Sequence, residues 1–171
     1  MPLRSDWSGA LCPVGRALDV LGDPWVVLIM RDALHGRRRF DELRDGLGVS
    51  DPVLSRRLVA LVDAGLLTRV PHAGDGRTRH VYEPTQAGAD LLPVLHALAR
   101  WAEKHTPLPE GGGHMAIVHE ACGAETGSAD HCTSCGGELR PEDVSWDKPW
   151  RGRERRDRLV GPGRAGASLP S

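Results

Sequence analysis

Gly48 separates two helical segments that each carry apolar residues along one side, and this arrangement constrains the fold more than any other feature of the chain. Ahead of it, after the turn at His35-Gly36, Phe40, Leu43 and Leu47 recur at helical spacing. Behind it, Ser50 caps a helix that runs to about residue 64, with Leu54, Leu58, Leu61 and Val62 on the buried face and Gly65 at its end. Two short helices joined by a tight glycine-containing turn form a helix-turn-helix pattern. Residues 66–70 and 80–83 then read as short strands joined by a Gly- and Arg-containing connection, 71–79, and a hairpin in that place is a wing.

The flanking segments complete a mainly α domain with a small β wing. One helix begins at Cys12 and Pro13, carries Val14, Ala17, Leu18 and Leu21, and stops at Gly22. Another starts at once, with Asp23 as cap and Pro24 in the first turn. Its run Trp25-Val26-Val27-Leu28-Ile29-Met30 is apolar on nearly every side, which places it at the centre of the fold. A long amphipathic helix is expected from residue 85 to about 105. Its stripe of Leu91, Leu92, Leu95, Leu98, Trp101 and Ala102 is wider than a small domain needs, so part of it is available as a dimer surface. The domain spans 8–106. A Pro/Gly linker at 107–113 precedes a small module at 114–146, and the Arg-, Gly-, Pro- and Ser-rich stretch 147–171 reads as a disordered tail.

The longest apolar runs fall far short of the roughly 20 residues that cross a bilayer, and no signal-peptide pattern opens the chain, so the cytoplasm is the expected location. A formal net charge of −1 excludes a global electrostatic footprint for nucleic acid, so any DNA contact must come from local patches. Arginine dominates the basic residues, Lys104 and Lys148 being the only lysines. No paired nucleophile and base, phosphate loop or open metal site points to an enzyme.

With Leu54, Leu58 and Leu61 turned inward, Arg56 lies near the centre of the outward face of the 50–64 helix, flanked by Pro52, Val53 and Ala60. An arginine there can donate two hydrogen bonds to guanine, and Val53 can touch a thymine methyl. Ser50, Ser55 and Arg57 lie nearer the phosphates, Arg77 and Arg79 of the wing suit phosphate or minor-groove contact, and Arg37, Arg38 and Arg39 could clamp the backbone. The alternative for each arginine is a solvated surface charge.

His119-Glu-Ala-Cys122-Gly123 and Cys132-Thr-Ser-Cys135-Gly136 are two similar units, each with ligands two residues apart and a glycine behind. One histidine and three thiolates complete a closed tetrahedral zinc site of the zinc-ribbon kind, suited to structure. His114 and His131 are possible substitutes for His119 without its spacing. A redox pair at Cys132 and Cys135, or a ribbon that has lost its metal, are the alternatives.

The residues Cys12-Pro13-Val14, Leu18-Asp19-Val20-Leu21-Gly22, Trp25 and Arg39-Phe40-Asp41-Glu42-Leu43 resemble the opening of the HxlR-type family of bacterial regulators. Ser50, Leu54-Ser55, Arg57-Leu58, Leu61, Gly65-Leu66, Arg69, Tyr82, Thr85 and Gly88 continue the resemblance, which covers roughly 8–105. It implies a homodimeric winged-helix protein that binds operator DNA as repressor or activator. Pro52 departs from the polar or basic residue common at that place, so base preference does not carry over. Several such proteins sense oxidants or electrophiles through a cysteine corresponding to Cys12, and a helix N-terminus favours a thiolate. The alternative is a small residue packing the first helix. No motif identifies an effector. A thiol redox protein and a protein-interaction adaptor that uses the cysteine module are the competing functions, and sequence-specific DNA binding separates them from a regulator.

Overall fold

The Asp23 carboxylate accepts the Trp25 N–H at 3.0 Å and Pro24 occupies the first turn, so α2 (Pro24–Leu34) begins where its cap dictates. The computed structural model of the protein describes residues 6–74 and 77–162. In it α2 follows α1 (Pro13–Leu21) and precedes α3 (Phe40–Leu47) and α4 (Asp51–Asp63). Gly48 takes a left-handed φ of 65° between α3 and α4, a conformation that glycine adopts without steric cost, and its N–H closes on the Arg44 carbonyl at 2.8 Å. Val26, Ile29, Met30 and Ala33 of α2 bury against Leu43, Leu54, Leu58 and Leu61, with Leu66 and Leu67 completing this first core.

The wing is an antiparallel hairpin of β1 (Leu67–Gly74) and β2 (Arg77–Pro84), longer than the two short runs that β propensity marks. The single helix expected from residue 85 is two helices, α5 (Gln86–Ala89) and α6 (Leu92–His105). Pro93 near the start of α6 has no N–H to give, and its ring excludes the carbonyl four residues earlier, so the helix cannot run through it. A Cβ on Gly88 would lie 2.2 Å from the Leu66 carbonyl oxygen; glycine lets α5 rest directly on the hairpin.

Beyond the linker, β3 (Ala116–His119), β4 (Glu125–Thr126), β5 (Val144–Asp147) and β6 (Arg156–Arg158) form an antiparallel sheet in the order β4-β3-β5-β6. Two expectations change here. The stretch from 147, which composition reads as a disordered tail, holds the end of β5, a 3₁₀ segment at Pro149–Glu154 and β6; residues 163–171 lie outside the described residues. Leu159 is its anchor, 2% exposed, and the Val160 N–H donates to the Leu34 carbonyl at the end of α2 at 2.8 Å. The module is also no free appendage behind a linker. Leu34, Leu92 and Leu95 of the helical half share a second core with Ile117, Cys132, Leu139, Val144, Trp146 and Leu159.

Trp146 fastens this second core. Its indole N–H donates to His96 Nε2 at 2.8 Å, while His96 Nδ1–H donates to the Ala129 carbonyl at 2.8 Å. On its other side His35 packs edge-on at 4.5 Å between centroids, with Nδ1–H on the Arg31 carbonyl at 2.7 Å and Nε2 accepting from Lys148 Nζ at 2.8 Å. These bonds require both imidazoles neutral. Burial and then the Lys148 charge push His35 down to about 4, against the hydrogen bond to Arg31, and burial lowers His96 as well.

Leu159→Ala should therefore destabilise the protein by about 2–5 kcal/mol in urea unfolding, the range for large-to-small changes in a core; an unchanged midpoint would mean that the segment is dispensable. The depressed histidines bind protons more readily in the unfolded chain. Their contribution is thus complete above the unfolded pKa of about 6.5 and is lost as pH falls towards 4. Urea midpoints should drop between pH 7.5 and 5, and the drop should be smaller in His35→Gln.

Candidate nucleic-acid interface and metal centre

Leu54, Leu58 and Leu61 anchor α4 to the first core, which leaves Pro52, Ser55, Arg56, Val59 and Ala60 exposed on the opposite side. Arg56 has no ion-pair partner among the described residues, and it stands in the middle of that face. Ser50 is exposed at the N-cap, although its hydroxyl makes no capping bond. Val53, placed beside Arg56 by helical spacing, is half-buried, and Val59, one turn beyond Arg56, is 60% exposed instead. Their i+3 relation to Arg56 was visible in the sequence; which of the two the core would cover was not.

The other arginines separate from Arg56. Arg57 makes an ionic contact with Asp23, the cap of α2, at 2.5 Å. Arg37 pairs with the buried Asp32 at 3.0 Å, and Arg31 reaches the same carboxylate at 2.7 Å. The side chain of Arg38 is only 14% exposed; it faces Glu83 of β2 at 3.6 Å and donates to the Gly161 carbonyl at 2.8 Å. Burial lowers its pKa against the Glu83 charge. Arg37 and Arg38, expected to clamp the DNA backbone, and Arg57, expected near the phosphates, thus each carry an ion pair within the chain, to Asp32, Glu83 and Asp23. Arg39 sits at the N-cap of α3, where Glu42 accepts its N–H and that of Arg38 at 3.0 Å each. In the wing, the backbone of Arg77 pairs with Gly74 and that of Arg79 with His72. The side chains of Arg77 and Arg79 lie outside the described residues.

Cys12 occupies the N-cap of α1 and is exposed. No residue of α1 is buried, and Leu11, Val14 and Leu18 are 96, 65 and 46% exposed. The stripe of α6 divides. Leu92 and Leu95 turn into the second core, whereas Val94, Leu98 and Trp101 stay at 43, 49 and 61% exposure.

His119, Cys122, Cys132 and Cys135 place one donor atom each within 4.8 Å of one another. His119 Nδ1 lies 3.4 Å from Cys122 Sγ and 3.3 Å from Cys135 Sγ, and Cys122 Sγ lies 3.6 Å from Cys132 Sγ. A tetrahedral ion with metal–sulfur bonds of about 2.3 Å and a metal–nitrogen bond of about 2.0 Å separates its ligand atoms by roughly 3.5–3.8 Å, so the donor set fits. Gly123 and Gly136 follow the second ligand of each unit with φ of 67° and 75°, and their N–H groups close on the His119 and Cys132 carbonyls at 2.8 Å. The chain makes the same knuckle twice. N–H groups of Cys135 and then Ser134 hold the Cys132 thiol down to about 6 in spite of burial. An N–H from Ala124 favours the Cys122 thiolate, but desolvation and the sulfurs of Cys132 and Cys135 push that thiol up. His114 and His131 are engaged elsewhere, with Glu103 at 3.7 Å and Asp130 at 2.7 Å.

The chain matches the family model described as HxlR-like helix-turn-helix over residues 20–109. Among curated proteins it is similar to Rv3095 of Mycobacterium tuberculosis, an uncharacterised HTH-type transcriptional regulator, with 41% identity over 132 residues that cover 77% of this chain and 82% of that one. It is also similar to the uncharacterised HTH-type transcriptional regulator sll1512 of Synechocystis, at 31% identity over 104 residues, 58% of this chain and 76% of the relative. Among solved structures, PA1607, assigned as a transcription factor, aligns at 34% identity and a TM-score of 0.65, covering 81% of this chain and 96% of that one. The redox regulator HypR in its oxidised form aligns at 26% identity and a TM-score of 0.51, covering 57% and 100%.

Cobalt(II) titrated into the reduced protein should saturate at one equivalent per chain, with the absorption of tetrahedral thiolate coordination. Cys132→Ser should weaken that binding by at least an order of magnitude. Saturation without thiolate bands, or an unaffected variant, would place the metal elsewhere.

Proposed function

Because the chain belongs to the HxlR-like helix-turn-helix family, and is thus a DNA-binding transcription regulator of helix-turn-helix type, we propose that it acts as a homodimer on a pseudo-palindromic operator in the cytoplasm, as a repressor or activator. The observation that carries this is the outward face of α4: an exposed Arg56 between small or apolar neighbours, on a helix whose opposite side is locked in the core. Arg56 reads guanine in the major groove. Val53 and Val59 line the groove beside it, Ser50 and Ser55 meet phosphates, and Arg77 and Arg79 bring the wing to the backbone or minor groove. Arg39 is the member of the 37–39 cluster best placed for a backbone contact.

The dimer reading rests on two apolar surfaces left open in one chain, on α1 and on α6. One recognition helix covers only a few base pairs, so two-fold symmetry doubles the site. The four-ligand cluster holds one structural zinc, with every position filled by protein and none open to substrate. A second reading concerns Cys12. Its exposed N-cap position, and the likeness to a protein described as a redox regulator, support a thiol that lowers operator affinity when oxidised or alkylated.

Shift assays on the promoter of the protein's own gene should show one specific complex, and light scattering a dimer. Arg56→Ala should cost about 1–3 kcal/mol at one base position in each half-site. A monomer without preference among fragments would sink the reading. For Cys12, operator binding is compared in wild type and Cys12→Ser before and after mild diamide; equal responses would rule out sensing at Cys12.

A further inference from the structure

The metal ligands are not confined to their own module. Cys132 is fully buried and lies in the core that Leu34 of α2 and Leu92 and Leu95 of α6 help to form. Trp146 ties that core to the helical half through His96 on α6 and His35 just past α2. The chain then returns to the DNA-binding half as a strap. The Leu159 N–H bonds the Val144 carbonyl at 2.9 Å, the Val160 N–H bonds Leu34, and the Gly161 carbonyl accepts from Arg38. Arg38 in turn faces Glu83 on β2, and its carbonyl accepts the Tyr82 N–H at 2.8 Å. An unbroken line of packing and hydrogen bonds thus runs from the ligands to the junction of α2, α3 and the wing.

We infer that occupancy of the His119, Cys122, Cys132 and Cys135 site by a thiolate-binding divalent cation sets the affinity for DNA, which makes the chain a metal-responsive regulator. The inference rests on the regulator reading given above. The two-state element is the module itself. Cys132 is at once a ligand and a member of the module's core, so the packing of that core is coupled to the ion. When it opens, Leu34, Leu92, Leu95 and His96 lose their cover and Arg38 loses its acceptor at Gly161. Two conformations of one element, biased by both sites, are what physical coupling between distant sites requires. The effect is reciprocal: DNA must raise metal affinity by the factor by which metal raises DNA affinity.

The test uses the full chain, reduced, either loaded with zinc or stripped by chelator. The probe is a duplex that the loaded protein selects from a random pool, and amide hydrogen exchange is followed in parallel. Stripping should weaken binding to that duplex by on the order of tenfold, and the duplex should tighten zinc binding by the same factor. Exchange should accelerate at Val160 and across residues 34–38 as well as in the module. Trp146→Phe, which keeps a ring but loses the bond to His96, should hold one zinc and show a smaller difference between loaded and stripped forms. Specific binding of equal strength in both forms would overturn the inference and leave the regulator reading intact. If neither form selects a duplex, the regulator reading falls and the inference falls with it. Unchanged exchange at 34–38 on stripping would overturn the coupling by a measurement that does not involve DNA. A chain that takes up no zinc would overturn it outright.

Discussion

The structure depends on α2 being buried from two sides. Val26, Ile29, Met30 and Ala33 serve the core under the helix-turn-helix, and Leu34 at its end serves the core under the cysteine module. A helix apolar around most of its circumference cannot sit at an edge. It needs cover along its whole length, and the core under the helix-turn-helix does not include Leu34 in its last turn. The module and the returning strap supply that cover, including the N–H of Val160 for the carbonyl of Leu34, one of the carbonyls that any helix end leaves without an internal partner.

The polar groups at this junction follow from the same constraint. Buried His96 and Trp146 meet half-buried His35, and each ring nitrogen has a partner, so the group is satisfied as long as both histidines stay neutral. Lys148 is held there by Asp157 at 2.8 Å while it donates to His35. The fit is specific because each member comes from a different element: His35 from the end of α2, His96 from α6, Trp146 from β5 and Ala129 from the loop before Cys132.

A formal net charge of −1 is compatible with DNA binding because the arginines are divided in their work. Arg31, Arg37, Arg38 and Arg57 neutralise Asp32, Glu83 and Asp23 inside the fold or at its seams. Such pairs orient the helices and add little to any external field. Arg56, on the outward face of α4, stands outside these pairs, and a local charge of this kind acts at short range whatever the net charge.

The sequence alone determined the elements whose signals are local. Asp23-Pro24 starts α2, Gly48 ends α3, Leu54, Leu58 and Leu61 orient α4 with Arg56 outward, and the repeated spacing of His119, Cys122, Cys132 and Cys135 with a glycine behind each pair marks a cluster that could hold a metal ion. Each of these follows from a cap, a period or a turn within a few residues. What required the tertiary structure was every feature set by a partner far along the chain. The arginines at 37, 38 and 57 look alike in sequence and acquire their roles from Asp32, Glu83, Gly161 and Asp23. Leu159 is a lone apolar residue in a polar stretch, and nothing periodic announces that it is buried; α2 decides that. A Pro/Gly linker marks where a chain can bend, but whether the two sides then share a core depends on the shape and chemistry of surfaces that only folding brings together.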